Sequence, residues 1–152
     1  MRILYSEDNM PDKEMNACLE EAAVLCVEKE GLSAENAEIS LTFVSKEEIR
    51  ELNNRYRNID NHTDVLSFPL IEDFDQLDDH REYMLGDVVI CTEKVREQAE
   101  EYGHSEKREM VYLFVHSVCH LLGFDHMEED EKQEMRQREE EIMKLLDLER
   151  RP

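Results

Sequence analysis

HSVCHLLGFDH, residues 116–126, places three of the chain's six histidines within eleven positions. In a helix, positions four apart share a face, so His116 and His120 project side by side. Glycine accepts the left-handed backbone that ends a helix, so Gly123 predicts a stop, after which the chain can turn and bring His126 back to the other two. Three imidazoles meeting at one point are the ligand set of a catalytic zinc that keeps its fourth position open. Imidazole also suits iron, copper and nickel, so the pattern ranks zinc first among several metals. A lone histidine in VYLFVHSVCHLL would read as a hydrogen-bonded core residue. Three buried together without a metal leave several donors and acceptors to satisfy, each costing about 1–3 kcal/mol if orphaned. The metal reading is the better one.

Working outward, the helix that carries the first two histidines is expected over about residues 105–122, and a last helix over about 128–148 with Met135, Ile142, Leu145 and Leu146 on one apolar stripe. Upstream, LGDVVICT (85–92) reads as a strand, and Thr92 is placed to cap the helix EKVREQAEEYG. DVLSF (64–68) and AEISLTFVS (37–45) are strands, the second alternating Ile39, Leu41 and Phe43 against polar neighbours. Ser45-Lys46-Glu47-Glu48 has the form of a capping box opening a helix to about Tyr56. RILYS is a first strand, residues 11–30 a helix closed by Gly31, and the acidic stretch 69–84 a surface loop. Strands early and helices late predict one α+β domain over residues 1–152, a small mixed sheet of about four strands with a metal-bearing helix near the C-terminus.

Composition bounds the setting. A chain of 152 residues buries a core without staples, and its 38% charged residues describe a heavily charged surface. Cys18, Cys26, Cys91 and Cys119 are scattered with no CxxC pair, which suits free thiols in a reducing compartment. The first residues lack an apolar signal region, and nothing approaches the ~18 consecutive apolar residues of a membrane helix. The expected setting is cytoplasmic and soluble.

Zinc proteases of the HExxH type carry glutamate directly after the first histidine as general base. Here that position is Ser117. A metal-bound water with pKa near ~7 still supplies hydroxide without a strong protein base. The site reads as hydrolytic but not proteolytic.

These residues carry a family resemblance. HSVCHLLGFDH resembles the H-G-x-L-H-L-x-G-[FY]-D-H motif of the YbeY family of metal-dependent endoribonucleases. LNNRYRNIDNHTDVLSFP resembles the family's LN-x-x-[YF]-R stretch leading to T-[DN]-V-L-S-F-P, and LGDVVI its L-G-D-[IL]-x-I strand; the order matches over about residues 38–146. The resemblance implies a zinc-type site at His116, His120 and His126, with Arg57 as the functional arginine. It also implies a small α+β fold and single-strand-specific cleavage of RNA, in 3′-end maturation of small-subunit ribosomal RNA and in ribosome quality control. Three positions depart from the family pattern: Ser117 stands where glycine is usual, Cys119 where leucine is usual, and His62 where proline precedes Thr63. The Ser117 hydroxyl is expected to be solvated or backbone-bonded.

A net charge of -21 opposes phosphate binding. The distribution softens it: residues 46–68 carry four basic and five acidic residues, and 104–127 two basic and three acidic. A divalent metal would make these two segments together neutral. Weak intrinsic RNA affinity follows, with a ribosomal or protein partner presenting the substrate. Arg57 would neutralise charge developing on the phosphate, whereas Arg55 in the same loop has no family counterpart. Asp125 suits either an outer contact to a histidine or a turn after Gly123, and Asp87 is expected to end an edge strand rather than reach the site. Ser67 and Thr63 read as strand and loop anchors, Met135, Ile142 and Leu146 as core. The nucleophile stays open between water and the RNA 2′-hydroxyl. Two rival functions are a non-catalytic ribosome-assembly factor braced by its metal and a zinc hydrolase of another substrate, peptide included.

Overall fold

The computed structural model describes residues 1–6, 9–124 and 128–148. In chain order the elements are β1 (Arg2–Tyr5), α1 (Lys13–Lys29), β2 (Ala37–Val44), α2 (Lys46–Arg57), β3 (Val65–Pro69), β4 (Tyr83–Cys91), α3 (Thr92–Tyr102), α4 (Glu106–Leu121) and α5 (Glu129–Leu145). The strands form one mixed sheet in the order β1-β2-β4-β3. β1, β2 and β4 run parallel, and β3 pairs antiparallel with β4 at one edge.

Alternation along the strands divides the core in two. Ile39, Leu41, Val88 and Ile90 face the main core with α1, α4 and α5, while Leu66, Val89 and Cys91 face the smaller cluster made with Ile49 and Leu52 of α2. Ser45 caps α2 with the reciprocal bonds of a capping box, as its sequence predicts.

Four local readings need correction. β4 starts at Tyr83, inside the stretch expected to be loop, because Tyr83 and Leu85 are buried and the chain pairs with β2 from Ala37 onward. The remainder of that stretch contains one 3-10 turn, Phe74–Gln76. Thr92 does not cap α3: Cys91 occupies the cap position and Thr92 is already helical. Leu145 is 55% exposed, and Met143 takes its place in the core. Asp87 lies in an interior strand opposite Phe68, on the sheet face turned to α2, so it ends no edge.

The register of β4 holds a further feature. The pairing skips from Glu38↔Met84 to Ile39↔Gly86, leaving Leu85 as the extra residue of a bulge. The bulge reverses the parity of the strand: Tyr83 and Leu85 face the main core before it, Val88 and Ile90 after it. Gly86 follows the bulge with φ of 154°. A methyl group there would overlap the Phe68 carbonyl and stand 2.8 Å from Leu121 Cδ2 of α4. Neither the backbone of β3 nor fully packed α4 can yield cheaply. Gly86→Ala is therefore expected to destabilise the fold by about 1–3 kcal/mol. Thermal unfolding should show it as a fall in Tm of about 2–4 °C for each kcal/mol.

Candidate metal centre

α4 begins where Ser105 accepts a hydrogen bond from the Arg108 backbone N–H at 3.1 Å. It buries Val111, Phe114, Val115, Val118 and Leu121 against the sheet and its neighbouring helices. His116 and His120 fall on the flank of this apolar face and are half-buried. Their rings meet edge to face, with centroids 4.7 Å apart at 86°, and their Nε2 atoms stand 3.2 Å apart.

The opposite nitrogens settle which atoms carry protons. His120 Nδ1 lies 3.0 Å from the carbonyl oxygen of Phe124, which only accepts, so Nδ1–H donates. The carbonyl gets there because α4 is capped at Leu122 and Gly123 takes a left-handed φ of 100°. Space around Gly123 is open, so backbone conformation alone explains the glycine. His116 Nδ1 lies 2.5 Å from Oε2 of Glu139, a carboxylate of α5 that is only 4% exposed. Its other oxygen, Oε1, accepts from the Tyr112 hydroxyl at 3.1 Å. With both Nδ1 atoms protonated in neutral rings, both Nε2 atoms present lone pairs to each other. Two lone pairs converging at 3.2 Å repel each other unless a proton or a metal ion lies between them.

The donor set fits a divalent transition metal. Nitrogens each ~2.0–2.1 Å from a tetrahedral ion stand about 3.3–3.4 Å apart, close to the observed separation. Neutral imidazoles whose far nitrogens are hydrogen-bonded are the usual form of such ligands. Among the described residues, no group of three or more His, Cys, Asp or Glu side chains could hold a metal. The third expected ligand, His126, and its neighbour Asp125 lie outside the described residues. Cys119 does not stand in for it: the thiol is fully buried, and its contact with Cys26 of α1 together with burial pushes its pKa up.

Ser117 is neither solvated nor bonded to backbone. It is fully buried, and its hydroxyl bonds that of Ser67 on β3. Position 117 is thus packed against β3, and its serine brings no carboxylate to act as the base of an HExxH protease. Ser67 gains a role beyond strand anchor, as the polar partner that lets a serine be buried there.

Arg57 ends α2, on the other side of the sheet, and its side chain is exposed. Among the described residues no hydrogen bond or ion pair joins it to either histidine. Its loop is ordered: Asn58 takes a left-handed cap, Arg50 forks onto Asp60 with bonds of 2.8 and 3.3 Å, and buried Asn53 donates to the Asn61 carbonyl at 2.9 Å. The neighbouring Tyr56 packs edge-on against Phe68 of β3, beside the Ser67 that touches α4. Thr63 and Asp64 anchor the same loop, the Asp64 carbonyl accepting from Cys91 N–H at 2.9 Å.

Two groups at the site escape a reading of the histidine motif alone, Tyr112 and Glu139. Both left a trace in the sequence. Tyr112 is four residues before His116 on one helical face, and Glu139 falls on the buried stripe of Met135 and Ile142, where an unpaired acid would be costly.

Comparisons with known proteins find relatives over most of the chain. A model of the family described as Endoribonuclease YbeY matches residues 3–147. A protein named Endoribonuclease YbeY from Clostridium botulinum (strain Eklund 17B) is 49% identical over 147 residues, covering 87% of this chain and 88% of the relative. One of the same name from Desulfitobacterium hafniense is 46% identical, covering 96% of each. The solution structure of TM1509 from Thermotoga maritima superposes with a TM-score of 0.62 at 25% identity, over 97% of this chain and 92% of that one.

The buried serine pair generates a prediction. Ser117→Leu would push α4 off β3 and is expected to cost about 1–3 kcal/mol by overpacking. Ser117→Gly fits the space and should cost only about 1 kcal/mol, through helix propensity. Denaturant midpoints of the two variants check the order; equal losses would show that α4 does not pack tightly at this point.

Proposed function

Since the chain belongs to the Endoribonuclease YbeY family, we propose that it is a metal-dependent endoribonuclease whose ion is held by His116, His120 and His126. The observation that carries this reading is the pair of Nε2 lone pairs 3.2 Å apart, each fixed by a hydrogen bond at the far nitrogen. Zinc is the favoured ion, on the all-imidazole donor set. Such an ion would supply Lewis acidity, activating water and drawing charge from a phosphoryl oxygen.

The chain's own residues supply the rest. His116 and His120 are oriented by Glu139 and by the Phe124 carbonyl, so both rings are arranged before any ion arrives. Arg57, unpaired among the described residues and mounted on an ordered loop, offers a planar fork of donors to a phosphodiester. The substrate is single-stranded RNA, and the cellular task is 3′-end maturation of small-subunit ribosomal RNA and ribosome quality control, as the family resemblance implies. On this proposal the protein works in the cytoplasm alongside ribosomes. Among the described residues, no helix is long and apolar enough to cross a membrane. A net charge of -21 makes free RNA a weak ligand, so a ribosomal or protein partner presents the substrate.

Metal content by mass spectrometry, on wild type and His120→Ala side by side, tests the site. About one zinc per chain is expected in the wild type and little in the variant. A folded wild type that cannot be loaded would sink the reading. Arg57→Ala should keep its metal and lose about 10²–10³-fold in cleavage of a short single-stranded RNA. Cleavage that survives loss of a histidine would favour a protein whose metal only braces the fold.

A further inference from the structure

We propose that Glu139 is a positioning residue for this site: its buried carboxylate holds His116 in the tautomer and ring orientation that aim Nε2 at the Nε2 of His120. The proposal rests on the metal reading above and extends it to a helix that contributes no ligand.

Three observations carry it. First, Glu139 has no solvent to lean on at 4% exposure, and both its oxygens are committed, Oε2 to His116 Nδ1 at 2.5 Å and Oε1 to the Tyr112 hydroxyl at 3.1 Å. A buried carboxylate with two donors is fixed in place, and so fixes the ring that donates to it. Tyr112 adds a second constraint, its ring stacked on that of His116 with centroids 6.2 Å apart at 29°.

Second, the adjacent residue of α5 serves the other histidine. The Arg138 guanidinium lies over the Phe124 ring, 5.7 Å from its centroid, and Phe124 supplies the carbonyl that accepts from His120 Nδ1. Consecutive residues of one helix thus serve both Nδ1 bonds, Glu139 as one acceptor and Arg138 by packing on the residue that supplies the other.

Third, the chain contains a comparison pair. Glu109 is buried to 3% and lies 2.6 Å from His104 Nε2, bridged further by Gln98 at 3.0 Å. There the Arg108 guanidinium sits 3.4 Å from both ring nitrogens, and the pair ties the start of α4 to α3. No second imidazole nitrogen faces that ring among the described residues. The His116–Glu139 pair differs in leaving one nitrogen turned toward another imidazole, as a ligand arrangement requires.

The test uses the full chain and three variants: Glu139→Gln, which keeps an acceptor, Glu139→Leu, which does not, and Tyr112→Phe. Nitrogen-15 NMR of the metal-free protein reads the His116 tautomer, and competition with a chromophoric chelator reads zinc affinity. Wild type should show Nδ1 protonated and Nε2 without a proton. Glu139→Leu should mix the tautomers and weaken zinc binding about 100-fold, Glu139→Gln about 10-fold with the tautomer kept. Tyr112→Phe should fall between wild type and Glu139→Gln. A folded Glu139→Leu with the wild-type tautomer and affinity would overturn the proposal, leaving Glu139 as a brace between helices. If the leucine variant does not fold, zinc affinity of the glutamine variant decides, and a wild-type value overturns it. A wild type that takes no zinc sinks the metal reading instead, and the tautomer measurement still shows whether Glu139 holds the ring.

Discussion

The closeness of α4 to the sheet is the constraint on which the rest depends. Gly86 has no side chain because Leu121 of α4 and the Phe68 carbonyl of β3 occupy the space. Just over one turn earlier, Ser117 lies fully buried against Ser67. These two contacts fix the rotation of α4 about its own axis. Once Phe114, Val118 and Leu121 are turned inward, positions 116 and 120 can only lie on the flank. The direction of the imidazoles is therefore a consequence of packing some distance from them. The same contacts explain why a small residue suits position 117. A hydroxyl is accepted there because Ser67 answers it.

Burial of polar groups sets the second layer of order. Unpaired, a carboxylate at the depth of Glu139 would cost several kcal/mol, about the range found when one partner of a buried pair is removed. The fold offsets this with a tyrosine and a histidine, and the histidine is thereby committed to one tautomer. On His120 a backbone carbonyl does the same task, delivered by the turn at Gly123. Stability and site geometry share the same hydrogen bonds. A substitution that relaxes either bond should loosen the ring before it unfolds the helix.

What could be read from the sequence was what depends on neighbours within a turn or two. The capping box at Ser45, the stop at Gly123 and the shared face of His116 and His120 all follow from spacing and backbone preference. What could not be read depends on contacts between distant segments. The bulge at Leu85 arises from pairing with β2, and it reverses strand parity in a way no alternation pattern reveals. The place of Ser117 required knowing that β3 lies against α4. Glu139 sat hidden in the run Arg138-Glu139-Glu140-Glu141, where composition suggests a solvated face. Only the coincidence with the Met135 and Ile142 stripe marks it as buried.

The acidity of the chain also takes on a different meaning beside this site. A strongly negative protein is a poor partner for free RNA, because phosphate binding gains most of its strength from neutralised charge. The same negative field favours a cation, and a buried carboxylate one imidazole away from the converging nitrogens acts at short range through protein rather than water. Under the proposed function, charge that weakens substrate affinity would strengthen the hold on a metal. Arg57 stands apart from this field on α2, across the sheet from the helix that carries the histidines, and is exposed. Under the proposed function the two requirements are separated in space: an acidic interior shell retains the ion, and an exposed cation on a hydrogen-bonded loop meets the phosphate. A substrate brought in by a partner needs no further attraction from the body of the protein.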